Sequence, residues 1–278
     1  DLHIHGFSPE EVLHGSTLTG VTVRDYLTAL KDAGVGSLPG TSAEILVDEV
    51  RDQISPGRIP TAKWVELIQT AHALDIPTTS TIMYGHIENS HHKAVHLEIL
   101  RDIQKRTGGI TEFVPLSFVF DEAPIYHRKR IPGLRPGASG AEVMKMYAVS
   151  RLMLNKWIPN LQVSWVKEGP KLSQISLMAG ANDFGGTLIN ESISTAAGAG
   201  YGQLMKPSQF RNMIREMGRI PAERSTTYNR IRIFETEENP VDLLDLVEDP
   251  EERFGSYNKL IRLKDYRFKD FYHARKGP

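Results

Sequence analysis

His3 and His5 alternate within Leu2-His3-Ile4-His5, so in a strand both imidazoles point to one side. If that side is an interior, two imidazoles face a site; the other reading is a strand-end pair satisfied by hydrogen bonds in the core. Glu44 follows the loop Pro39-Gly40-Thr41 and is read at the start of a helix, where a carboxylate can cap backbone N–H groups or grip a ribose diol. Arg58 ends Ser55-Pro56-Gly57-Arg58, and an arginine held by a Pro-Gly turn suits a ligand carboxylate as well as a surface ion pair. His86, His91, His92 and His96 lie close together. His92 and His96 have the i,i+4 spacing of half a metal site, but no Glu follows His92, so the zinc-protease pattern fails. His86 differs, because Tyr84-Gly85-His86 follows a strand end and suits ligand contact.

Further along, Gln162 and Ser164 share one face of Gln162-Val163-Ser164-Trp165, while Val163 and Trp165 share the other. A polar face turned into a barrel lines a pocket. Asn182-Asp183 precedes Gly185-Gly186, where glycines let the backbone approach a ligand. Glu191-Ser192 then enters an Ala/Gly-rich segment ending Tyr201-Gly202-Gln203, which reads as a loop over a barrel mouth or as close helix–strand packing. No Ser/His/Asp arrangement, Walker loop or pair of carboxylates is persuasive.

The elements that must position these residues alternate. Strand-like runs at Leu2–His5, Val35–Pro39, Ile76–Tyr84, Glu112–Val119, Asn160–Val166 and Ala179–Thr187 are separated by helical patterns. The helices are expected at Thr22–Ala33, Thr61–Leu74 (with Thr61 as its cap), His91–Thr107, Gly140–Lys156, Lys171–Met178 and Pro207–Met217. This spacing predicts a parallel α/β protein with its polar loops after the strands, where a (β/α)8 barrel builds its active site. A doubly wound sheet is the alternative, without a phosphate-binding glycine fingerprint to support it. About six β/α units are visible, so a barrel would need two more before Asp1. Residues 1–234 read as the C-terminal two-thirds of a barrel domain and residues 235–278 as a charged C-terminal extension, acidic over Glu235–Arg253 and basic over Lys259–Lys276. That extension is either solvated or a docking segment.

Composition narrows the classes. The 278 residues are 40% hydrophobic and 24% charged, with a net charge of −1, so no bulk field attracts nucleic acid or acidic lipid. No apolar run approaches the roughly 18 residues of a membrane span. A soluble protein is expected, in the cytoplasm, or in an organelle if a transit peptide precedes Asp1. There is no cysteine, which excludes disulfides, a thiol nucleophile and thiolate-held clusters within these residues.

Several separated segments resemble one family in order: Asp1-Leu-His-Ile-His-Gly-Phe-Ser-Pro-Glu-Glu-Val12, Gly36-Ser-Leu-Pro-Gly-Thr-Ser-Ala-Glu-Ile45, Thr78-Thr-Ser-Thr-Ile-Met-Tyr-Gly-His86, Thr111-Glu-Phe-Val-Pro-Leu-Ser-Phe118, Gln162-Val-Ser-Trp-Val-Lys167, Gly180-Ala-Asn-Asp183 and Gly185-Gly-Thr-Leu-Ile-Asn-Glu-Ser-Ile-Ser194. From Asp1 to Tyr228 the chain resembles the CofH family, the tyrosine-dependent half of FO synthase. The menaquinone-pathway aminofutalosine synthase and futalosine cyclase are the nearest alternatives, and Arg219-Ile-Pro-Ala-Glu-Arg224 favours CofH. A truncated, non-catalytic product is the other alternative.

The resemblance implies a radical SAM TIM-type (β/α)8 barrel, incomplete here. It implies a [4Fe–4S] cluster on three cysteines spaced C-x-x-x-C-x-x-C, expected upstream of this sequence, and S-adenosyl-L-methionine as cofactor. The implied reaction joins the hydroxybenzyl group of L-tyrosine to 5-amino-6-ribitylaminouracil, and a partner, the CofG subunit or fused half, closes the ring to give FO. Glu44 would contact the adenosine ribose and Arg58 the cofactor carboxylate. His3, His5, Tyr84 and His86 would serve catalysis, with Gln162, Ser164, Trp165, Asn182, Asp183 and Glu191 around the substrate. Without the cysteines, this chain alone would be inactive. Phe120 departs from the family pattern, where a histidine is usual.

Overall fold

The structure, a computed structural model, describes residues 2–189, 191, 193–201 and 204–255. The basic stretch Lys259–Lys276 and Asp1, Asn190, Ser192, Gly202 and Gln203 lie outside the described residues.

In chain order the elements are β1 (Ile4–His5), α1 (Pro9–Thr19), α2 (Val23–Asp32), β2 (Val35–Ser37), α3 (Asp48–Ile54), α4 (Thr61–His72), β3 (Thr78–Tyr84), α5 (Ser90–Thr107) and β4 (Ile110–Ser117). There follow α6 (Pro124–His127), α7 (Gly140–Leu154), α8 (Trp165–Ser176), α9 (Ile193–Ala196), α10 (Pro207–Glu216), the strands β5 (Ala222–Arg224) and β6 (Arg230–Ile233), and α11 (Pro250–Phe254).

Parallel pairing runs through the chain in sequence order. β1 pairs with β2, and β3 with β4 from Thr78–Ile110 to Tyr84–Ser117. Between these pairs, the Leu38 N–H donates to Pro77 O and the Thr79 N–H to Leu38 O, both at 3.0 Å. Beyond β4, the Gln162 N–H donates to Phe113 O at 3.0 Å, and the Val163 N–H to Asp183 O at 2.8 Å. Six successive segments are thereby hydrogen-bonded side by side, each parallel to the last. Parallel neighbours need crossovers, and helices supply them. The apolar faces of α4, α5 and α7 pack with Ile82, Tyr84 and Phe113 in one large core, while α1, α2 and α4 enclose Val12, Leu27, Leu38 and Leu67 in a second.

Three expectations need correction. Asn160–Val166 and Ala179–Thr187 are not full strands: their ladders shrink to Leu161–Gln162 and to Asp183. Ser164 is the N-cap of α8, so the chain turns helical at Trp165; Gly180, Gly185 and Gly186, at φ +119°, +79° and +100°, break the last segment on both sides of Asp183. Thr61 does not cap α4, since Pro60 holds that position and Asp48 Oδ1 accepts from the Thr61 N–H at 2.8 Å and its hydroxyl at 2.6 Å. Glu44 does not open a helix: α3 starts at Asp48, and Glu44 sits before it in a loop at φ +44°.

Several elements had no counterpart among the expected ones, α1, α3 and the β5–β6 hairpin among them. α1 is set by a capping box in which the Ser8 N–H and hydroxyl both donate to Glu11 Oε2 at 2.7 Å, with Pro9 at the first turn. α3 is short. β5 and β6 form an antiparallel hairpin after α10. Of the charged extension, the described part docks on α10: Arg211 Nη2 lies 3.2 Å from Asp245 Oδ2, and Arg215 donates to Thr236 O and Glu238 O at 2.8 Å.

Candidate active site

Neighbouring parallel segments bring one polar residue each to a common place. Ser37 Oγ lies 2.7 Å from His3 Nε2 and 2.6 Å from His5 Nδ1, so one hydroxyl bridges both imidazoles. Partial desolvation, then the nearby His3, lower the His5 pKa below the usual imidazole value. On the other side Gln162 Nε2 donates to Glu112 Oε2 at 2.6 Å. Glu112 is buried at the start of β4, and burial raises its pKa against the opposing pull of Tyr228, Arg224 and Gln162. Between these groups lies a cavity of about 280 Å³, bounded by His5, Ser37, Thr79, Glu112, Gln162 and Arg224.

The C-terminal hairpin closes over this cavity. Arg224, ending β5, grips Asp183 with two nitrogens, Nε to Oδ2 at 2.5 Å and Nη2 to Oδ1 at 2.8 Å. Its guanidinium lies 4.0 Å from the centre of the Tyr228 ring, and the Tyr228 hydroxyl donates to Glu112 Oε2. Tyr228 has φ +66°, a left-handed conformation that a bulky residue adopts only when its surroundings hold it there. Asp183 also accepts from the Gly185 N–H at 2.7 Å, so the loop that breaks the last segment orients the carboxylate.

A second polar group surrounds Glu44, whose carboxyl burial shifts upward in pKa while Arg51, Arg58 and Lys167 pull it down. Lys167 is itself pushed below the usual amine value by burial, opposed by Glu191, Glu168 and Glu44. Arg58 is half exposed, with Nε 3.9 Å from Glu10 Oε2, and Gly57 at φ +79° makes the turn that presents it. Both oxygens of Glu191 accept from the Ser194 N–H at 3.0 Å. The sequence-expected pair Glu44 and Arg58 thus share one electrostatic neighbourhood.

Other expected residues sit inside the scaffold. Tyr84 is fully buried among core side chains, its hydroxyl 3.4 Å from the buried Glu168, and burial drives its pKa well up. His86 is 1% exposed: its Nδ1 accepts from the Ile87 N–H at 2.8 Å, which leaves the Nε2–H to donate to Met83 O at 2.9 Å. Burial lowers its pKa, so the neutral ring is a brace for the loop after β3. Glu88 completes that brace, accepting from the Gly85 and His86 N–H groups at 2.9 and 2.8 Å and facing Arg135 and Lys93. Trp165 is buried and donates from Nε1 to Gly186 O at 2.9 Å. Ser164 is a buried cap residue, and Asn182 Oδ1 accepts from the Leu161 N–H and Arg151, away from Asp183's partners. His92 pairs with Glu49 at 2.8 Å and His96 is buried, so the two do not converge; among the described residues no three His, Asp or Glu side chains are grouped to hold a metal ion.

Glu112, Lys167, Arg224 and Tyr228 were not singled out from the sequence. Glu112 and Lys167 lie inside two of the family-like segments, and Arg224 ends a third, so the signal was present as motif without role.

Comparison with known proteins bears on this geometry. Residues 107–237 match the model of the CofH/MqnC C-terminal region. The chain is 52% identical over 232 residues to a Methanothermobacter thermautotrophicus protein named 5-amino-6-(D-ribitylamino)uracil–L-tyrosine 4-hydroxyphenyl transferase, covering 83% of this chain and 62% of that protein. Over this matched region the chain is similar to CofH-type proteins. A transferase of the same name from Methanocaldococcus jannaschii is 49% identical over 228 residues, covering 82% of this chain and 63% of its own length. The chain therefore spans less than two thirds of the length of the curated relatives it matches. Its α/β organisation agrees with the radical SAM fold that the family implies. No helix among the described residues is long and apolar enough to cross a membrane.

Proposed function

We propose that this chain is the substrate-holding part of a radical SAM transferase that joins the 4-hydroxybenzyl group of L-tyrosine to 5-amino-6-(D-ribitylamino)uracil. The observation that carries the reading is the half-identity, over 83% of the chain, to proteins named for that transfer. The six parallel segments are then an arc of a (β/α)8 barrel over residues 1–234, completed by two further β/α units, with residues 235–278 as its extension. A CofG-type protein, as subunit or fused half, would take the product onward.

The residues present fit S-adenosyl-L-methionine: a desolvated Glu44 carboxylate suits a ribose diol, and a turn-mounted Arg58 suits a carboxylate. When bound and reduced by one electron from a group that these residues do not hold, that cofactor would supply a carbon radical able to take hydrogen from an unactivated position. The residues present do not fit a [4Fe–4S] cluster, because these 278 residues include no cysteine. The chain's own part is to hold substrates and exclude water. His5 and Gln162 border the cavity where the segments converge, with His3 joined to it through Ser37 and Asp183 through Arg224. Tyr84, His86, Ser164, Trp165 and Asn182 fix the strand ends and loops around it, while Glu191 and Lys167 complete the Glu44 side.

The test uses the complete natural protein, reconstituted anaerobically with iron, sulfide and S-adenosyl-L-methionine. Tyrosine-dependent consumption of ribitylaminouracil, with a hydroxybenzyl adduct detected by mass, is expected. Formation of 5′-deoxyadenosine without such an adduct would overturn the substrate assignment, and the 278-residue chain alone should form no 5′-deoxyadenosine.

A further inference from the structure

The 280 Å³ cavity under the hairpin has a lining whose chemistry selects among ligands. Five hydroxyl groups border it: Ser37, Thr79 and Thr111 from the parallel segments, and Thr226 and Thr227 from the hairpin turn. Gln162 and Glu112 add an amide and a carboxyl group. Ser37 is bridged to His3 and His5, Thr79 accepts from the Gly40 N–H, Thr111 donates to Thr78 O and Thr227 lies 3.3 Å from Ser225 and Asn229, yet a hydroxyl can both donate and accept, so each keeps capacity for a ligand that does the same at closely spaced points.

Its charges are already matched. Arg224 spends its fork on the two oxygens of Asp183, and Glu112 accepts from Gln162 and Tyr228. The remaining titratable neighbour, His5, has its charged form disfavoured by desolvation. A carboxylate or phosphate entering here would meet no unengaged cation among the described residues and would lie beside Glu112 and Asp183. That argues against the amino acid head group and against any phosphorylated ligand. The volume is also below the roughly 300–1,000 Å³ of sites that enclose a whole drug-sized molecule, so it suits an arm of a substrate.

We propose that this cavity binds a neutral polyhydroxylated chain, and that in the transferase reading it receives the ribityl arm of the pyrimidine substrate. The hairpin turn is then a wall of the site, and Arg224 and Tyr228 are positioning residues that hold Thr226 and Thr227 against the arm. The assignment rests on the function proposed above.

The experiment compares two probes on the full chain by calorimetry: 5-amino-6-(D-ribitylamino)uracil, kept anaerobic, and the same pyrimidine with a methyl group in place of the ribityl arm. The ribityl probe should bind at least tenfold more tightly. Thr111→Val and, separately, Thr227→Val should each weaken the ribityl probe about fivefold, the scale of one hydrogen bond, and leave the methyl probe unchanged. Two variants on different elements guard against a folding defect in either, and thermal melting checks each. Equal binding of the two probes, or equal losses for both in the variants, would overturn the polyol assignment while leaving the transferase reading intact. Binding of neither probe would overturn both.

Discussion

Arg224 and Asp183 form a two-point ion pair, with nitrogen–oxygen distances of 2.5 and 2.8 Å, that ties the C-terminal hairpin to the last of the six parallel segments. The side chains are 22% and 12% exposed, so the pair is largely withdrawn from solvent. Arg224 also stacks on Tyr228, which reaches Glu112 on β4. One residue therefore couples three segments distant in sequence.

Removing it should be costly. Breaking a buried pair by deleting one partner typically costs about 3–5 kcal/mol, because the other charge stays buried. Arg224→Ala should lower stability by roughly 3 kcal/mol in urea unfolding, and amides of Ala222–Ile233 should exchange faster. Arg224→Lys keeps the charge without the fork and should recover only part of the loss. Unchanged hairpin exchange in Arg224→Ala would mean the pair does not anchor it.

A second prediction concerns acid. His72 lies 2.7 Å from Thr107 Oγ1 and 3.0 Å from Thr78 Oγ1, and burial depresses its pKa to about 4. His96, wholly buried behind β3 with Nδ1 accepting from the Leu46 N–H, is depressed to about 3. Between these values and 6.5 the unfolded chain binds protons that the folded chain refuses. Their stability contribution is thus full above pH 6.5 and is lost as pH falls through about 4 and then about 3. One pKa unit is about 1.4 kcal/mol, so His72 alone should account for about 3 kcal/mol. The urea midpoint should drop steadily from pH 6.5 to pH 4, and His72→Gln should flatten that drop. An equal slope in the variant would remove His72 as its source.

Backbone strain supplies a third. Gly85 follows β3 at φ +89°, and a Cβ there would lie 2.5 Å from the Ala138 nitrogen. Gly57 has a similar φ, +79°, but nothing within 4 Å of an added Cβ. Gly57→Ala should cost about 1 kcal/mol for the left-handed conformation alone. Gly85→Ala meets backbone as well and should cost at least twice that, since neither loop can withdraw without breaking the Glu88 brace. Equal losses would show that the 138 segment yields freely.

What the sequence made legible follows from the physics of each signal. β3, β4, α5 and α7 are long, periodic and buried, and their positions were readable within about three residues. The last two parallel segments were read as strands because Val163 and Phe184 are apolar, yet pairing there lasts one or two residues. No local pattern reports that Ser164 turns the chain into a helix. His3, His5 and Gln162 were identified because their faces alternate along strand-like runs, and Asp183 because it precedes Gly185-Gly186. Glu112 and Arg224 were missed because a lone carboxylate on a strand and an arginine beside a glutamate carry no local mark. Their partners, Tyr228 and Asp183, lie 116 and 41 residues away, and only the fold brings them together.

Arg58 provides the last prediction. It stands on a Ser55–Arg58 turn beside Glu44, and its present ion pair with Glu10 is long, at 3.9 Å. Such a side chain is available to a ligand carboxylate at little cost to the fold, because a surface pair of this kind contributes about 0–1 kcal/mol. Arg58→Ala should leave the melting temperature within a degree or two and weaken S-adenosyl-L-methionine binding by about 1.5–3 kcal/mol, the scale of a hydrogen bond to a charged group. Equilibrium binding to the complete protein measures the loss. Glu44→Gln should weaken the same ligand while leaving its carboxylate contact intact, so methionine alone should still compete normally. Loss of affinity in Glu44→Gln but not in Arg58→Ala would keep the ribose contact and move the carboxylate site elsewhere, with Arg51 and Lys167 the remaining cations around Glu44.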